Sequence, residues 1–464
     1  MSNAADYGFL PSNNGDQNAA ALQRAVNEKG TLYIDKPGIY DISETILLGD
    51  DTSLVFGAGV YLRRAKSQDG TQHASYVFIN EGAYTRTYNN NISIIGLHLI
   101  CNGMEASTGK RVPGVRGHIS FYYANNVTVK DFTCLDLGVY CYALQISTFE
   151  NFIAENCHIE GHKDAIHLGV GDKFVIRHCR LRTYDDPIAL NAADYSVSNP
   201  QLGWIQNGII EDCYDLDAEA TTGFFCRLLG GSWVDWHEGM EVMHSDAVMS
   251  DGRIYRVFAE PDGKFYKSYT RPTHKEGAEV LDGIRWEMTQ DDTPELYNAG
   301  CRNIHFKDIH LQKKRNYAIN MCFETSAYCR SYMTDSEAPK YENIIFENIM
   351  VENEIEVPIA TGVPTDSVKN VKSNLGNGRI VGESLADNSR QKYTDTRNLK
   401  TGTINLLLSG VTFKGEGKQP VVTCSPTHKC NLNIVGSAVV NENFKPTVSE
   451  NINVLTSDIE LIKE

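Results

Sequence analysis

The sequence predicts an all-β solenoid, in which short strands recur about every 20–30 residues and stack coil upon coil. Three observations predict it. Four segments run from Asn or Asp through alternating β-formers to Cys: Asn126-Val-Thr-Val-Lys-Asp-Phe-Thr-Cys134, Asn151-Phe-Ile-Ala-Glu-Asn-Cys157, Asp172-Lys-Phe-Val-Ile-Arg-His-Cys179 and Asn207-Gly-Ile-Ile-Glu-Asp-Cys213. Their cysteines step by 23, 22 and 34 residues, and weaker relatives begin at Asn91, Asn303, Asn343 and Thr403. A second strand follows in each coil, with alternating apolar residues: His118-Ile-Ser-Phe121, Ala143-Leu-Gln-Ile146, Ala165-Ile-His-Leu168, Pro187-Ile-Ala-Leu190, Phe225-Cys-Arg-Leu228 and Ala318-Ile-Asn-Met321. Almost no helical periodicity lies between these pieces.

The elements follow in order. Asp16–Glu28 reads as a short amphipathic helix with Ala20, Leu22, Ala25 and Val26 on its apolar face. It caps the open end of the first coil, where unpaired strand edges invite association. Residues 31–62 hold short β runs, and from about 115 the repeat becomes regular. Cys134, Cys157 and Cys179, with Cys213 continuing the row, form an inward column of free thiols. The segments 192–206 and 233–300 interrupt the period and read as lateral loops. Segment 358–402 is polar and takes no assignment, and the β pattern resumes at 403. One domain over 5–464 is the simplest division, with a cap at about 5–40 and Met1–Ala4 read as an expression scar.

Period-2 alternation places the middle residue of each second strand outside. The outward column reads Ser120, Gln145, His167, Ala189 and Arg227, with Tyr255 next and Asn320 farther on. Beside it lie two look-alike segments, Gly161-His-Lys-Asp-Ala-Ile-His-Leu-Gly169 and Arg182-Thr-Tyr-Asp-Asp-Pro-Ile-Ala-Leu190. Asp164 and Asp186 are 22 residues apart. If that is one coil, the two carboxylates stack at the roughly 4.7–4.9 Å spacing of neighbouring strands, with Asp185 one residue out of register. Three carboxylates that close do not ionise independently.

Composition excludes several classes. The net charge of −16 leaves no basic face for nucleic acid. No apolar run reaches the roughly 18 residues of a membrane span. Twelve cysteines in 464 residues, several at one place in the repeat, read as buried thiols and not as a disulfide framework.

The opening Asp6-Tyr-Gly8, Asp16-Gln-Asn18, Ala21-Leu-Gln23, Gly30-Thr-Leu-Tyr-Ile34 and Gly38-Ile-Tyr40 resembles the cap and first coil of the pectin-lyase-like superfamily. The centre, about 150–256, resembles the polygalacturonase-type (family 28-like) glycoside hydrolases. Their Asn-Thr-Asp motif is matched by His162-Lys-Asp164, and their Asp-Asp motif by Asp185-Asp186. Two motifs depart: Gly223-Phe-Phe225 stands where Gly-His-Gly is expected, and Arg253-Ile-Tyr255 where Arg-Ile-Lys is expected.

The resemblance implies a single-stranded right-handed parallel β-helix, a glycosidase and an inverting mechanism. The coils at about 115–260 become the catalytic coils. Asp185 takes the role of general acid, and Asp164 and Asp186 hold the attacking water. His162, His167, Asn191, Arg227, Arg253, Tyr255 and Gln145 become candidate substrate contacts, with Arg227 and Arg253 suited to a carboxylate or sulfate. No metal or cofactor is implied, the partner is a carbohydrate, and the location is secreted or periplasmic. The lost His and Lys put polygalacturonate itself in doubt, and oligomeric state stays open.

Alternatives are a Ca²⁺-dependent lyase on the same fold, with Arg182 or Arg227 as base, and a glycan-binding β-helix without turnover. Trp204, Trp233 and Trp236 either stack on sugar faces or fill loop core. Insertions at 192–206 and 233–300 are long enough to block one end of a groove and favour exo action.

Overall fold

The computed structural model describes residues 2–105, 107–218, 223–291, 296–326, 329–353, 355–364, 399–413, 422–439 and 451–461. The chain is a right-handed parallel β-helix built on one continuous sheet system. Each coil contributes to three parallel ladders. Gly30–Ile34, Thr52–Phe56 and Asn89–Ile95 begin the first. Gly38–Ile42, Val60–Arg64 and His98–Ile100 begin the second. Ile46–Leu48 and Phe78–Asn80 begin the third. The long strands Gly117–Lys130 and Tyr142–Glu155 run from the third ladder into the first around a corner at Tyr123 and Thr148.

The turns explain why the repeats begin with Asn. Asn91, Asn126, Asn151, Asn207, Asn303 and Asn343 all have φ between 53° and 61°. That left-handed region is open to Asn at lower cost than to most side chains. Their amides also bond from coil to coil: Asn126 Nδ2 donates to Asn91 Oδ1 (3.1 Å), Asn151 to Asn126 (3.0 Å) and Asn303 to Asn207 (2.9 Å). A second left-handed position follows, where Asn156 Nδ2 donates to Asp131 Oδ1 at 2.6 Å.

Inside, the thiol column forms with one change. Cys157, Cys179 and Cys213 are buried, interacting neighbours in successive coils. Cys134 instead pairs in register with Ile159 and places its Sγ 3.5 Å from that of Cys101. The coil there is 25 residues, Thr133 to His158, so the 23-residue cysteine step misses the column by two positions.

The cap helix spans Gly15–Asn27 and opens with a capping box, Asn14 accepting from Gln17 N while Gln17 Oε1 accepts from Asn14 N. It buries Ala19, Ala21, Leu22, Ala25 and Val26; Ala20 is exposed, a correction to the expected apolar face. The insertion after Arg227 is more ordered than lateral loops. It holds a five-stranded sheet, including Arg253–Phe258 and Ile284–Gln290, and a two-stranded one. Most of 358–402 lies outside the described residues.

Replacing Asn207, which bonds to Asp172 at 2.6 Å and to Asn303, tests the turn ladder. Asn207→Val is expected to cost about 1–2 kcal/mol for the left-handed backbone, plus about 0.5 kcal/mol for exposed hydrogen bonds. Asn207→Gly, freed of the backbone cost, loses less. Melting temperatures of the two variants in the reverse order would reject this account.

Candidate functional site

The 22-residue coil is real. Ile166 pairs with Ile188 and Gly161 with Thr183, and Asp185 N donates to His162 O at 2.9 Å. Ala143 N donates to Asp164 O, Ala165 N to Asp186 O and Ile188 N to Phe225 O. These bonds stack Asp164 beneath Asp186, with Tyr142 one coil below and Phe224 one coil above. One oxygen from each of Asp164, Asp185 and Asp186 lies within 4.8 Å of the others. Asp164 and Asp186 are buried, whereas the Asp185 side chain is 33% exposed.

A residue that the sequence reading passed over sits among them. Lys163 Nζ contacts Asp185 Oδ2 and lies 3.6 Å from Asp164 Oδ1. The nearby Asp185 and Asp164 outweigh the burial that opposes its charge, so Lys163 stays protonated. On the other side Arg227 Nε lies 3.1 Å from Asp186 Oδ2, and its Nη2 3.4 Å from Asp194 Oδ2. Asp194 is a second omission. It accepts from Asn191 Nδ2 at 2.7 Å and helps hold Arg227 over the cluster. Lys163 stands one 22-residue coil before Asp185, a signal that could have marked it, whereas Asp194 has no repeat partner.

Environment separates the two stacked acids. Burial opposes ionisation of Asp164, but Lys163, the 2.8 Å hydrogen bond with His167 and Arg227 outweigh it. Its carboxyl stays well below the usual range. Asp186 goes the other way: burial, reinforced by Asp185 and Asp164, overcomes Arg227 and the Phe224 N–H and pushes it up to about 8. Arg227 opposes that rise, but its 3.1 Å contact with Asp186 Oδ2 lacks hydrogen-bond alignment. Asp164 and Asp186 are thus pushed in opposite directions by their surroundings and titrate as coupled groups.

The expected polar stripe is present in register: Ser120, Gln145, His167, Ala189, Arg227, then Asn320. Tyr255 does not belong to it, a correction to the predicted order. The 233–297 insertion folds as its own sheet, so Arg227 pairs directly with Asn320. Tyr255 is buried there with its hydroxyl donating to His274 O at 2.6 Å, and Arg253 lies on the same strand, away from the aspartates.

The stripe is not an open groove floor. Ser120, Gln145, His167 and Asn320 are all buried. Gln145 is a strap anchor: it accepts from Arg116 N and Gly117 N and donates to Gly114 O and Ser198 O. His167 stacks on Tyr142 at 4.1 Å. Asn191 accepts from Arg227 Nε at 3.2 Å and holds Asp194, while half-buried His162 lies near Tyr184. The strand-edge opening thus presents Lys163, Asp185 and part of Arg227. Trp233 and Trp236 are loop core, donating to Leu296 O and Ser268 Oγ, and Arg302 covers Trp204.

No family model matches this chain, and no curated protein matches it. Among solved structures it is similar to the endo-xylogalacturonan hydrolase of Aspergillus tubingensis, at 10% identity over 97% of each chain and a TM-score of 0.44. It is also similar to a hyperthermoactive exopolygalacturonase of Thermotoga maritima, at 10% identity over 99% of this chain and 91% of that one, TM-score 0.47. A third is PfbA, a surface adhesin of Streptococcus pneumoniae, at 13% identity over 96% and 93%, TM-score 0.45. A fold does not fix a function, so function is argued from the site.

Two measurements check the electrostatics. A carboxyl whose folded pKa is raised from about 4 stabilises the fold fully below that pH and progressively less as pH rises towards 8. Wild-type melting temperature is therefore expected to fall across pH 4–8 relative to Asp186→Asn, and parallel profiles would reject the raised pKa. Three carboxylates would suit Ca²⁺ if their cation were removed. Millimolar calcium is expected to raise the melting temperature of Lys163→Gln by several degrees and to leave the wild type unchanged; an equal rise in both would show that Lys163 does not fill that place.

Proposed function

We propose that this protein is a glycoside hydrolase acting on an acidic poly- or oligosaccharide. The observation that carries the proposal is the cluster of Asp164, Asp185 and Asp186 beneath Arg227, two carboxyls buried and one exposed at its edge. Glycoside hydrolysis needs a proton for the leaving oxygen and a carboxylate to activate water. Asp185, the carboxyl that substrate can reach, delivers the proton retained by the cluster. Asp164, held ionised, polarises the water. Lys163 and Arg227 face the same opening and suit a carboxylate or sulfate on the sugar.

The spacing bears on stereochemistry. Nearest oxygens within 4.8 Å are closer than the roughly 6.5–9.5 Å of most inverting pairs. A double displacement, however, needs a carboxylate free to reach the anomeric carbon. Asp164 and Asp186 are buried, and Lys163 holds Asp185. Water is therefore the nucleophile; polarised by Asp164 on the face opposite the oxygen that Asp185 protonates, it inverts the anomeric centre. The roof over the stripe favours attack at a chain end.

Screening wild type and Asp185→Asn against pectic, algal and host glycans, with reducing ends and ultraviolet absorbance read together, tests the proposal. Reducing ends without absorbance are expected, falling by about 100- to 10,000-fold in the variant. Proton NMR of the first product is expected to show the inverted anomer. Absorbance that chelator abolishes would make the protein a Ca²⁺-dependent lyase instead. One observation favours a second, non-catalytic reading: Lys163 neutralises the exposed carboxyl, and Phe224 occupies the place of an expected histidine. Binding without turnover by either protein would establish that reading.

A further inference from the structure

A cavity of about 190 Å³ lies at the opposite edge of the same ladder. The aspartates precede the third-ladder strands, whereas Tyr122 follows one, at the corner into the first ladder. Four separate segments wall the cavity: 83–86, 110–113, 196–200 and the lateral sheet at 256–289. Its mouth carries Arg86, Lys110 and Arg111, all exposed.

These cations lack counter-ions. Arg86 donates to Met288 O, Arg111 to Glu105 O, and Lys110 lies over the Tyr84 ring. Among the described residues none of the three pairs with a carboxylate, in a chain of net charge −16. The one acid in the wall, Glu287, has its own partner in Arg285 at 3.4 Å. The floor provides a second, independent observation. Tyr122 lines the cavity, is 2% exposed, and its hydroxyl makes no aligned hydrogen bond beyond an interaction with the Tyr123 side chain. A buried hydroxyl with its pairing incomplete is costly and marks a place where a ligand group would be recognised.

We propose that this cavity is a second ligand site, taking one acidic sugar unit that bears a carboxylate or sulfate. The volume is below the roughly 300–1,000 Å³ of drug-sized sites and suits a single ring. Arg86, Lys110 and Arg111 supply the charge that the acid group needs. Tyr122 meets a ring hydroxyl from the floor, and Val112, Pro113 and Phe258 provide apolar wall. None of these residues belongs to the aspartate cluster, so the site does not depend on turnover there.

Titrating the full chain with glucuronate, glucose 6-sulfate, glucose and inorganic sulfate, followed by calorimetry, tests the proposal. Both acidic sugars are expected to bind, glucose at least about tenfold more weakly, and sulfate more weakly than glucose 6-sulfate, since each 1.4 kcal/mol is a factor of ten. Tyr122→Phe is expected to weaken acidic-sugar binding at this site several-fold with an unchanged melting temperature, and Arg86→Ala with Arg111→Ala to remove that Tyr122-sensitive binding. Asp185→Asn is expected to leave it intact. Equal binding of glucose, equal binding of sulfate, no binding of either acidic sugar, or insensitivity to Tyr122→Phe and the arginine pair would each overturn the proposal. Loss in Asp185→Asn alone would place the ligand at the aspartates and overturn it too.

Discussion

In-register stacking of the coils, held at turns where Asn adopts a left-handed backbone, is the constraint on which the rest depends. A parallel strand shifted by one residue turns its apolar face outward, so register is strongly specified wherever one face is buried. The turn residues add a second restraint, because few side chains enter that region cheaply and each amide bonds to its neighbour. The aspartates inherit this register. Asp164 lies under Asp186 because Ile166 lies under Ile188, and one extra residue in that coil would separate them.

Burial then turns proximity into chemistry. Two acids one coil apart on an open surface would both ionise in water. Here the strap at 194–199, tied to Gln145 and Asn191, covers the adjoining stripe and lowers the local dielectric. Charge inside such a site must be matched, and Lys163 and Arg227 match it unevenly. Two cations hold Asp164 ionised, whereas Asp186 keeps its proton because burial and two anions outweigh a single guanidinium. The same backbone position in successive coils thus pushes two carboxyls in opposite directions, the pattern by which paired carboxyls divide acid and base roles.

The fold was legible because a solenoid writes its period into the chain. The coil from Asp164 to Asp186, the alternating second strands and the stripe from Ser120 to Arg227 all follow from period and alternation alone. Errors arose where the period is interrupted. Tyr255 was placed on the stripe because the insertion was read as loop, whereas its strands satisfy one another laterally. Cys134 was placed in the thiol column because a shared residue type stood in for true register. Lys163 and Asp194 were missed for a different reason. The 22-residue offset from Lys163 to Asp185 was read only for its carboxylates, and Asp194 lies in an interruption of the period that hides its contact with Arg227.

The insertions explain why one sheet carries polar chemistry at both edges. Closing the strap over the stripe leaves two openings, one at the aspartates and one at the basic cavity. Arg256 joins them: buried, it donates to Asp194 O, Asn199 O and Ser245 O while lining the cavity wall. The residue whose backbone it holds, Asp194, uses its carboxylate to hold Arg227 above Asp186. A bare guanidinium in that position would be expensive to bury, and three carbonyls accept from its Nη1 and Nη2. Opening the strap would strip those bonds from Arg256 and release Asn191 and Arg227 together. The strap is therefore anchored most firmly at the point where it serves both edges, and the aspartate site is preorganised by contacts that begin on the far side of the sheet.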